Sequence, residues 1–326
     1  MSAEAVGRHG FKLGLSVYPQ ETSWEAMIEV VRRADELGYD SLWTWDHLLG
    51  IGRSGRQSVF EAWTTVAAWA ATTSRAMLGL LVCANTLRNP GLIAKSAVTV
   101  DHISGGRFVL GLGAAYRELE HQAHGIEFGS GFGERLAWLE ESVEVVKKLL
   151  AGETVTSALG GRYRFAEASH LPPPARGPGT IPVLIPGGGE RKTLRILARL
   201  GDLWHVRGTP DTLSHKIELL RGYCDDAERS LDEIEFITGN PVIIRDDPVE
   251  AEAVYASVLR RNGQTRGGSG IERAAGELLF GPPEVIAEAW RPFLDLGFRY
   301  MIVDFASPYD RETLERLPEV RDLLAV

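Results

Sequence analysis

Cysteine is nearly missing: the 326 residues include only Cys83 and Cys224. Two thiols so far apart make neither a disulfide framework nor a zinc spacing, so a reducing cytoplasm is the expected compartment. No apolar run reaches the roughly 18 residues that a membrane helix needs, and none is expected. The start of the chain, Met1-Ser2-Ala3-Glu4-Ala5, has no basic region followed by an apolar stretch, so no secretory signal is expected. Positive charge is the minority, with 35 Lys and Arg against 44 Asp and Glu and a formal net charge of -9. That balance speaks against general binding to nucleic acid or to anionic membranes. An anionic ligand would have to be held by local geometry.

Apolar residues are plentiful, at 44%, enough for a large core. The length is generous for an ordinary domain and normal for a (β/α)8 barrel with insertions. Short apolar runs alternate with helical periodicity, and strands start about every 30 residues, as parallel βαβ units require. Strands are predicted at Lys12–Tyr18, Ser41–Trp45, Met77–Cys83, Arg107–Leu112, Ile181–Ile185, Asp202–Val206, Ile234–Thr238 and Tyr300–Val303. Val242–Ile244 reads as an extension of the seventh. Thr22-Ser23-Trp24-Glu25 has capping-box spacing at the first helix. Pro90 and Gly105-Gly106 bracket the third. The rhythm breaks after the fourth strand, where a helix over Glu134–Leu150 and a hairpin over Thr154–Phe165 are predicted, and again after the seventh. The prediction is an α/β fold, a (β/α)8 TIM barrel with insertions after strands 4 and 7, residues 1–326 forming one domain. An open doubly wound sheet is the rival; eight units in one chain favour closure. Residues 263–270 are a candidate lid or a plain surface loop.

Asp46 and His47 stand at the carboxyl end of the second strand, where α/β barrels keep their chemistry. Histidine titrates nearest neutral pH and can take a proton from an alcohol or give one to an enolate. Asp46 would orient it or lie beneath a cofactor edge. The fifth strand runs into Pro186-Gly187-Gly188-Gly189-Glu190-Arg191-Lys192-Thr193. Three glycines permit close backbone approach, and a helix start beside Arg191 and Lys192 favours an anion. Gly111-Leu112-Gly113 opens like a dinucleotide fingerprint, but Tyr116 takes the third glycine position. A strand end that admits a flat ring is the better reading. Asn85 and Thr86 can hydrogen-bond a heterocycle. Glu120, His121 and His124 read as a solvated helix start rather than a metal site, and no metal is expected. His205, after the sixth strand, faces the same end of the barrel.

Together these motifs resemble the luciferase-like monooxygenase superfamily, and within it the deazaflavin-dependent oxidoreductases. The resemblance rests on Trp45-Asp46-His47, Val82 to Pro90, Ile103 to Arg107 with Gly111-Leu112-Gly113, and Ile185 to Leu194. It implies coenzyme F420 as cofactor, with FMN as the alternative, and hydride transfer to or from a small organic substrate. It implies catalytic roles for His47 and Asp46. Cofactor contacts would come from Asp46, Cys83, Ala84, Asn85, Gly111, Gly113, Gly187, Gly188, Gly189, Glu190, Arg191, Lys192 and Thr193. A non-prolyl cis peptide is implied near Cys83-Ala84. A deazaflavin carries carbon where a flavin carries nitrogen, so it favours hydride transfer over oxygen chemistry. Sugar-phosphate dehydrogenases of the family carry Glu where this chain has Ala114, which argues against glucose 6-phosphate. Relatives often have Gly-Trp-Asn where this chain has Leu203-Trp204-His205. The alternatives are an FMNH2-dependent monooxygenase, a metal-dependent hydrolase or isomerase on Asp46, His121 and His124, and a non-catalytic barrel. Ala62, Trp63, Val66, Ala67 and Trp69 give the second helix more apolar surface than one barrel needs outside, which predicts a homodimer through helices two and three.

Overall fold

A computed structural model describes residues 10–52, 55–157, 160–264 and 278–324. Eight parallel strands close into a barrel: β1 (Lys12–Val17), β2 (Ser41–Thr44), β3 (Met77–Leu80), β5 (Phe108–Gly113), β6 (Val183–Pro186), β7 (Leu203–His205), β8 (Glu235–Thr238) and β11 (Tyr300–Phe305). The register runs Gly14↔Ser41, Leu78↔Phe108 and Gly14↔Ile302, with β3 pairing β5 to complete the ring. The helices α1 (Trp24–Glu36), α2 (Ala62–Thr72), α3 (Pro90–Ser104), α5 (Phe132–Leu150), α6 (Thr193–Leu200), α7 (Pro210–Asp226), α9 (Pro283–Asp295) and α10 (Arg311–Leu324) lie outside. The predicted insertions are both present. A short helix α4 (Glu118–Ala123) leads into α5 after β5, and β9 (Val242–Ile244), α8 (Pro248–Arg261) and β10 (Leu279–Gly281) follow β8.

The strands are apolar on both faces because both are covered. Leu13, Leu15, Leu42, Leu78 and Leu110 point outward to the helix layer and are fully buried; each contributes about 1.5–3 kcal/mol. Trp43, Val109, Leu184, Leu203, Ile237, Tyr300 and Ile302 fill the barrel itself. Trp43 explains two glycines beside it. A Cβ at Gly79 would sit 2.2 Å from the indole, and one at Gly14 would sit 2.4 Å from the Ser41 hydroxyl that accepts the indole N–H at 2.6 Å.

Several expectations need correction. The third strand breaks: β3 stops at Leu80, a cis peptide joins Leu81 and Val82, and β4 is only Cys83–Ala84, paired with Leu112 and Gly113. The non-prolyl cis bond that the resemblance implies near Cys83-Ala84 is thus present, at Leu81–Val82. Val242–Ile244 does not extend β8; it pairs with β10 in a separate two-stranded sheet. The predicted hairpin is reduced to a bridge between Val155 and Ala168. Ser23, not Thr22, caps α1, its hydroxyl accepting the Ala26 N–H at 3.2 Å. Ala62, Trp63, Val66 and Trp69 pack inside the protomer, so they offer no dimer face. The proposed lid falls largely on residues 265–270, outside the described residues.

Candidate functional site

The carboxyl ends of the strands surround a cavity of about 400 Å³. Asp46, His47, Ala84, Gly113, Gly187, Gly188, Gly189 and Thr193 all line it, as the sequence reading expects. Asp46 and His47, though adjacent, serve different partners. Asp46 is buried, and its Oδ2 accepts the Arg88 guanidinium at 2.5 Å and the Ala84 N–H at 3.2 Å. Arg88 also holds Glu61 at 2.7 Å, and Glu61 caps α2 through the Trp63 and Thr64 amides. Burial raises the Asp46 carboxyl above the ordinary range despite the opposing pull of Arg88. Its Oδ1 is buried and has no hydrogen-bond partner among the described residues.

His47 is oriented by Glu120, not by Asp46. The Glu120 carboxylate, only 1% exposed, lies 3.0 and 3.2 Å from Nδ1 and accepts the Leu48 N–H at 2.9 Å. Since a carboxylate accepts, Nδ1 carries the proton, and Nε2 turns toward the Tyr116 hydroxyl 3.3 Å away. Burial works against charge on Glu120, yet the bonds from His47 and Leu48 prevail and hold its carboxyl below the usual range. The solvated reading of this helix start therefore fails for Glu120 and His121, both buried. The His121 ring bonds Thr86 at 2.7 Å and the Arg117 carbonyl at 2.9 Å. Among the described residues no three ligating side chains gather as a metal would need.

Cys83, Asn85 and Gly111 lie behind the cavity wall rather than on it. Cys83 and Asn85 are fully buried, and burial pushes the Cys83 thiol well up, with the Asp46 charge adding to it. The Thr86 hydroxyl is taken up by His121, while the Asn85 side-chain oxygen and nitrogen are buried and have no hydrogen-bond partner among the described residues. Gly111 is required by close packing: a Cβ there would come 2.0 Å from the Leu80 carbonyl oxygen. Gly113 does the same against Val82, at 2.6 Å, and keeps this wall flat.

The glycine triplet forms an open cradle. Gly187 adopts φ +98°, a left-handed value suited to glycine, and its carbonyl accepts the Trp204 indole N–H at 2.8 Å. Lys216 caps the Gly188 carbonyl at 2.7 Å and reaches Glu190 at 3.2 Å. The amides of Gly188, Gly189 and Glu190 make no hydrogen bond among the described residues. The cradle precedes α6, which starts at Thr193 rather than at the expected Arg191. Glu190, Arg191 and Lys192 do not line the cavity; Lys192 instead reaches the Gly133 carbonyl at 3.2 Å. Free amides, a helix start and a hydroxyl suit a phosphate, and the orphaned Asp46 Oδ1 suits a ring N–H. The residues present fit a phosphate-bearing ring cofactor.

The remaining arc of the cavity was hardly visible in the sequence. His205 lines it, as expected, and Tyr18, Arg207 and Asp304 join it. Arg207 meets Asp304 at 2.7 Å. Burial, aided by the Arg207 charge, pushes His205 down to about 3, so its ring is neutral. Its Nε2 has no partner among the described residues.

A sequence profile described as luciferase-like monooxygenase matches residues 9–296. An F420-dependent glucose-6-phosphate dehydrogenase of Intrasporangium calvum is 27% identical, over 96% of this chain and 99% of that protein. Another, of Amycolatopsis mediterranei, is 31% identical over 59% of this chain and 56% of that protein. A solved F420-dependent secondary alcohol dehydrogenase, in complex with an F420–acetone adduct, superposes with a TM-score of 0.80 at 18% identity, covering 96% of this chain and 98% of that one; this likeness speaks to the fold. Among the described residues no helix is long and apolar enough to cross a membrane.

Proposed function

The chain belongs to the luciferase-like monooxygenase family, and on that footing we propose that it is a coenzyme F420-dependent oxidoreductase acting on a small alcohol or its carbonyl counterpart. The observation that carries this reading is the meeting, in one cavity, of the Glu120-held His47 with the open Gly187–Gly189 cradle. When bound, the deazaflavin supplies a carbon that accepts or returns a hydride. The protein then has to hold donor and acceptor carbons in line, about 3–3.5 Å apart, and manage one proton. In the oxidation direction, His47 Nε2 takes the proton of the substrate hydroxyl as its carbon gives up hydride. Glu120 stabilises the resulting imidazolium through Nδ1–H. In the reverse direction His47 returns that proton to the new alkoxide oxygen. The Tyr116 hydroxyl, 3.3 Å from Nε2, donates to it before substrate arrives.

Titration of the purified protein with F420 and with FMN, followed by fluorescence, tests this directly. Tighter binding of F420 is expected. Preferred binding of FMN, with rapid reoxidation of the reduced cofactor in air coupled to substrate oxygenation, would favour a flavin monooxygenase instead. The cradle gives a second check. A Cβ at Gly189 would lie 2.6 Å from Thr193 Oγ1, so Gly189→Val displaces that hydroxyl and blocks the free amides. Losing one charge-assisted hydrogen bond of about 1.5–3 kcal/mol should weaken F420 binding roughly 10- to 150-fold, while the melting temperature moves little.

Cys83 and Cys224 are both unpaired and buried, which fits a reducing compartment, and we assign the whole chain, as one barrel unit, to the cytoplasm. A homodimer is part of the proposal, now through α3 alone, whose Leu92 and Ile103 are 56% and 43% exposed. Light scattering at micromolar concentration is expected to return twice the monomer mass, and a monomer would overturn this.

A further inference from the structure

The barrel order divides the cavity into sectors. His47 follows the second strand and the cradle follows the fifth, β6. Opposite His47, the sixth strand β7 leads to His205 and Arg207. The eighth, β11, contributes Asp304, and β1 leads to Tyr18. If the hydride is exchanged beside His47 and the phosphate rests on the cradle, this arc is left for the far end of the substrate. This reasoning rests on the hydride-transfer reading above.

The chemistry of the arc is polar and carries almost no net charge. Arg207 is the one guanidinium lining the cavity among the described residues, and Asp304 neutralises it at 2.7 Å. Burial tends to discharge Arg207, but Asp304 outweighs it and keeps the guanidinium protonated. Tyr18 is buried and holds its phenolic proton, because burial and then the Asp304 charge oppose ionisation. His205, 9% exposed, lines the cavity, and its Nε2 is buried with no partner among the described residues. Of the other carboxylates on the cavity, Asp46 is paired with Arg88 and Glu120 is held by His47. A substrate anion would find no unneutralised cation on this cavity among the described residues. The walls between the two ends are Trp45, Ile51, Phe132, Leu136 and Leu139, which favour an apolar skeleton.

We propose that the substrate is an uncharged, largely apolar alcohol or ketone with a second neutral oxygen function, which hydrogen-bonds His205 at the far side of the barrel from His47. The Arg207–Asp304 pairing disfavours phosphorylated and carboxylated substrates.

Turnover with F420 of a four-member panel tests this: cyclohexanol, cyclohexane-1,4-diol, 4-hydroxycyclohexanecarboxylate and glucose 6-phosphate. The diol should exceed cyclohexanol in kcat/KM by about tenfold, the worth of one good hydrogen bond. The carboxylate and the sugar phosphate should fall below cyclohexanol by a similar factor. His205→Leu should bring the ratio of diol to cyclohexanol to about one, with the Kd for F420 unchanged. Should that variant fail to fold, Asp304→Asn serves: exposing the Arg207 charge should raise carboxylate turnover relative to the diol by about tenfold. A wild type that prefers either anion, or that binds F420 and turns over neither uncharged alcohol, overturns the inference. So does a folded His205→Leu that keeps its preference for the diol. A wild type that does not bind F420 removes the proposed function itself and this inference with it.

Discussion

Replacing His47 with alanine should lower kcat by about 10²–10⁴-fold, the usual worth of a positioned general acid–base, while F420 still binds. The imidazole lines the same cavity as the glycine cradle, yet the cradle stands on a different strand, so proton handling and cofactor grip are separable. Pre-steady-state hydride transfer, followed by loss of the F420 absorbance, isolates the step. A variant that turns over at the wild-type rate would show that His47 carries no proton. Glu120→Gln provides the companion measurement. The amide can still accept from Nδ1–H but does not stabilise an imidazolium as a carboxylate does. Losing a charged hydrogen bond of about 1.5–3 kcal/mol predicts roughly a 10- to 150-fold fall in kcat, with KM little altered. The pH dependence has a definite sign. Since Glu120 sits below its ordinary value in the folded protein, its contribution to stability is fully present above the unfolded carboxyl range. That contribution drains away as pH falls through the lower folded value. Glu120→Gln should remove that acid-side loss.

The largest effect on stability is expected at Arg88. Arg88→Met keeps the length of the side chain and deletes the partner of a buried carboxylate. Breaking such a pair costs about 3–5 kcal/mol, since the surviving charge is left uncompensated. Asp46 already lies above the usual carboxyl range because it is buried, and Arg88 opposes that rise. Without Arg88 it climbs further. An acid whose folded pKa exceeds its unfolded value destabilises the fold at higher pH, and the penalty vanishes once it is protonated. Urea denaturation should therefore show the full loss near pH 7.5 and a smaller loss near pH 5. A loss equal at both values would mean that Asp46 does not bear the charge. Glu61 loses one partner in the same variant but keeps its bonds to the Trp63 and Thr64 amides, so α2 should stay capped.

The sequence made some of this legible and hid the rest for identifiable reasons. Strand periodicity and spacing revealed the barrel, since buried parallel strands are apolar on both faces and Pro90 and Gly105 bound α3. Asp46, His47 and the glycine triplet were visible because each follows an apolar run directly. Glu120 was misread because its partner lies 73 residues away and no local spacing encodes such a pair. The Arg207–Asp304 pair escaped for the same reason, joining two barrel strands that only closure brings near. Trp63 and Trp69 looked like interface residues because α2 is apolar nearly all round; such a helix is commonly buried on several sides, and this one is. The third strand read as continuous because a two-residue pleat signal does not register a break of one peptide unit at Leu81–Val82.

The carboxylate that aims His47 stands on α4, in the insertion after β5, and not on a barrel strand. The imidazole is thus anchored to the barrel while its orientation is leased from a peripheral segment that the sheet does not need in order to close. Selection, or a protein engineer, can exchange residues 114–131 as a cassette and so reset proton affinity and substrate reach together. The cradle and the strand framework would stay as they are, which makes this insertion the place where sister enzymes sharing one cofactor should diverge first.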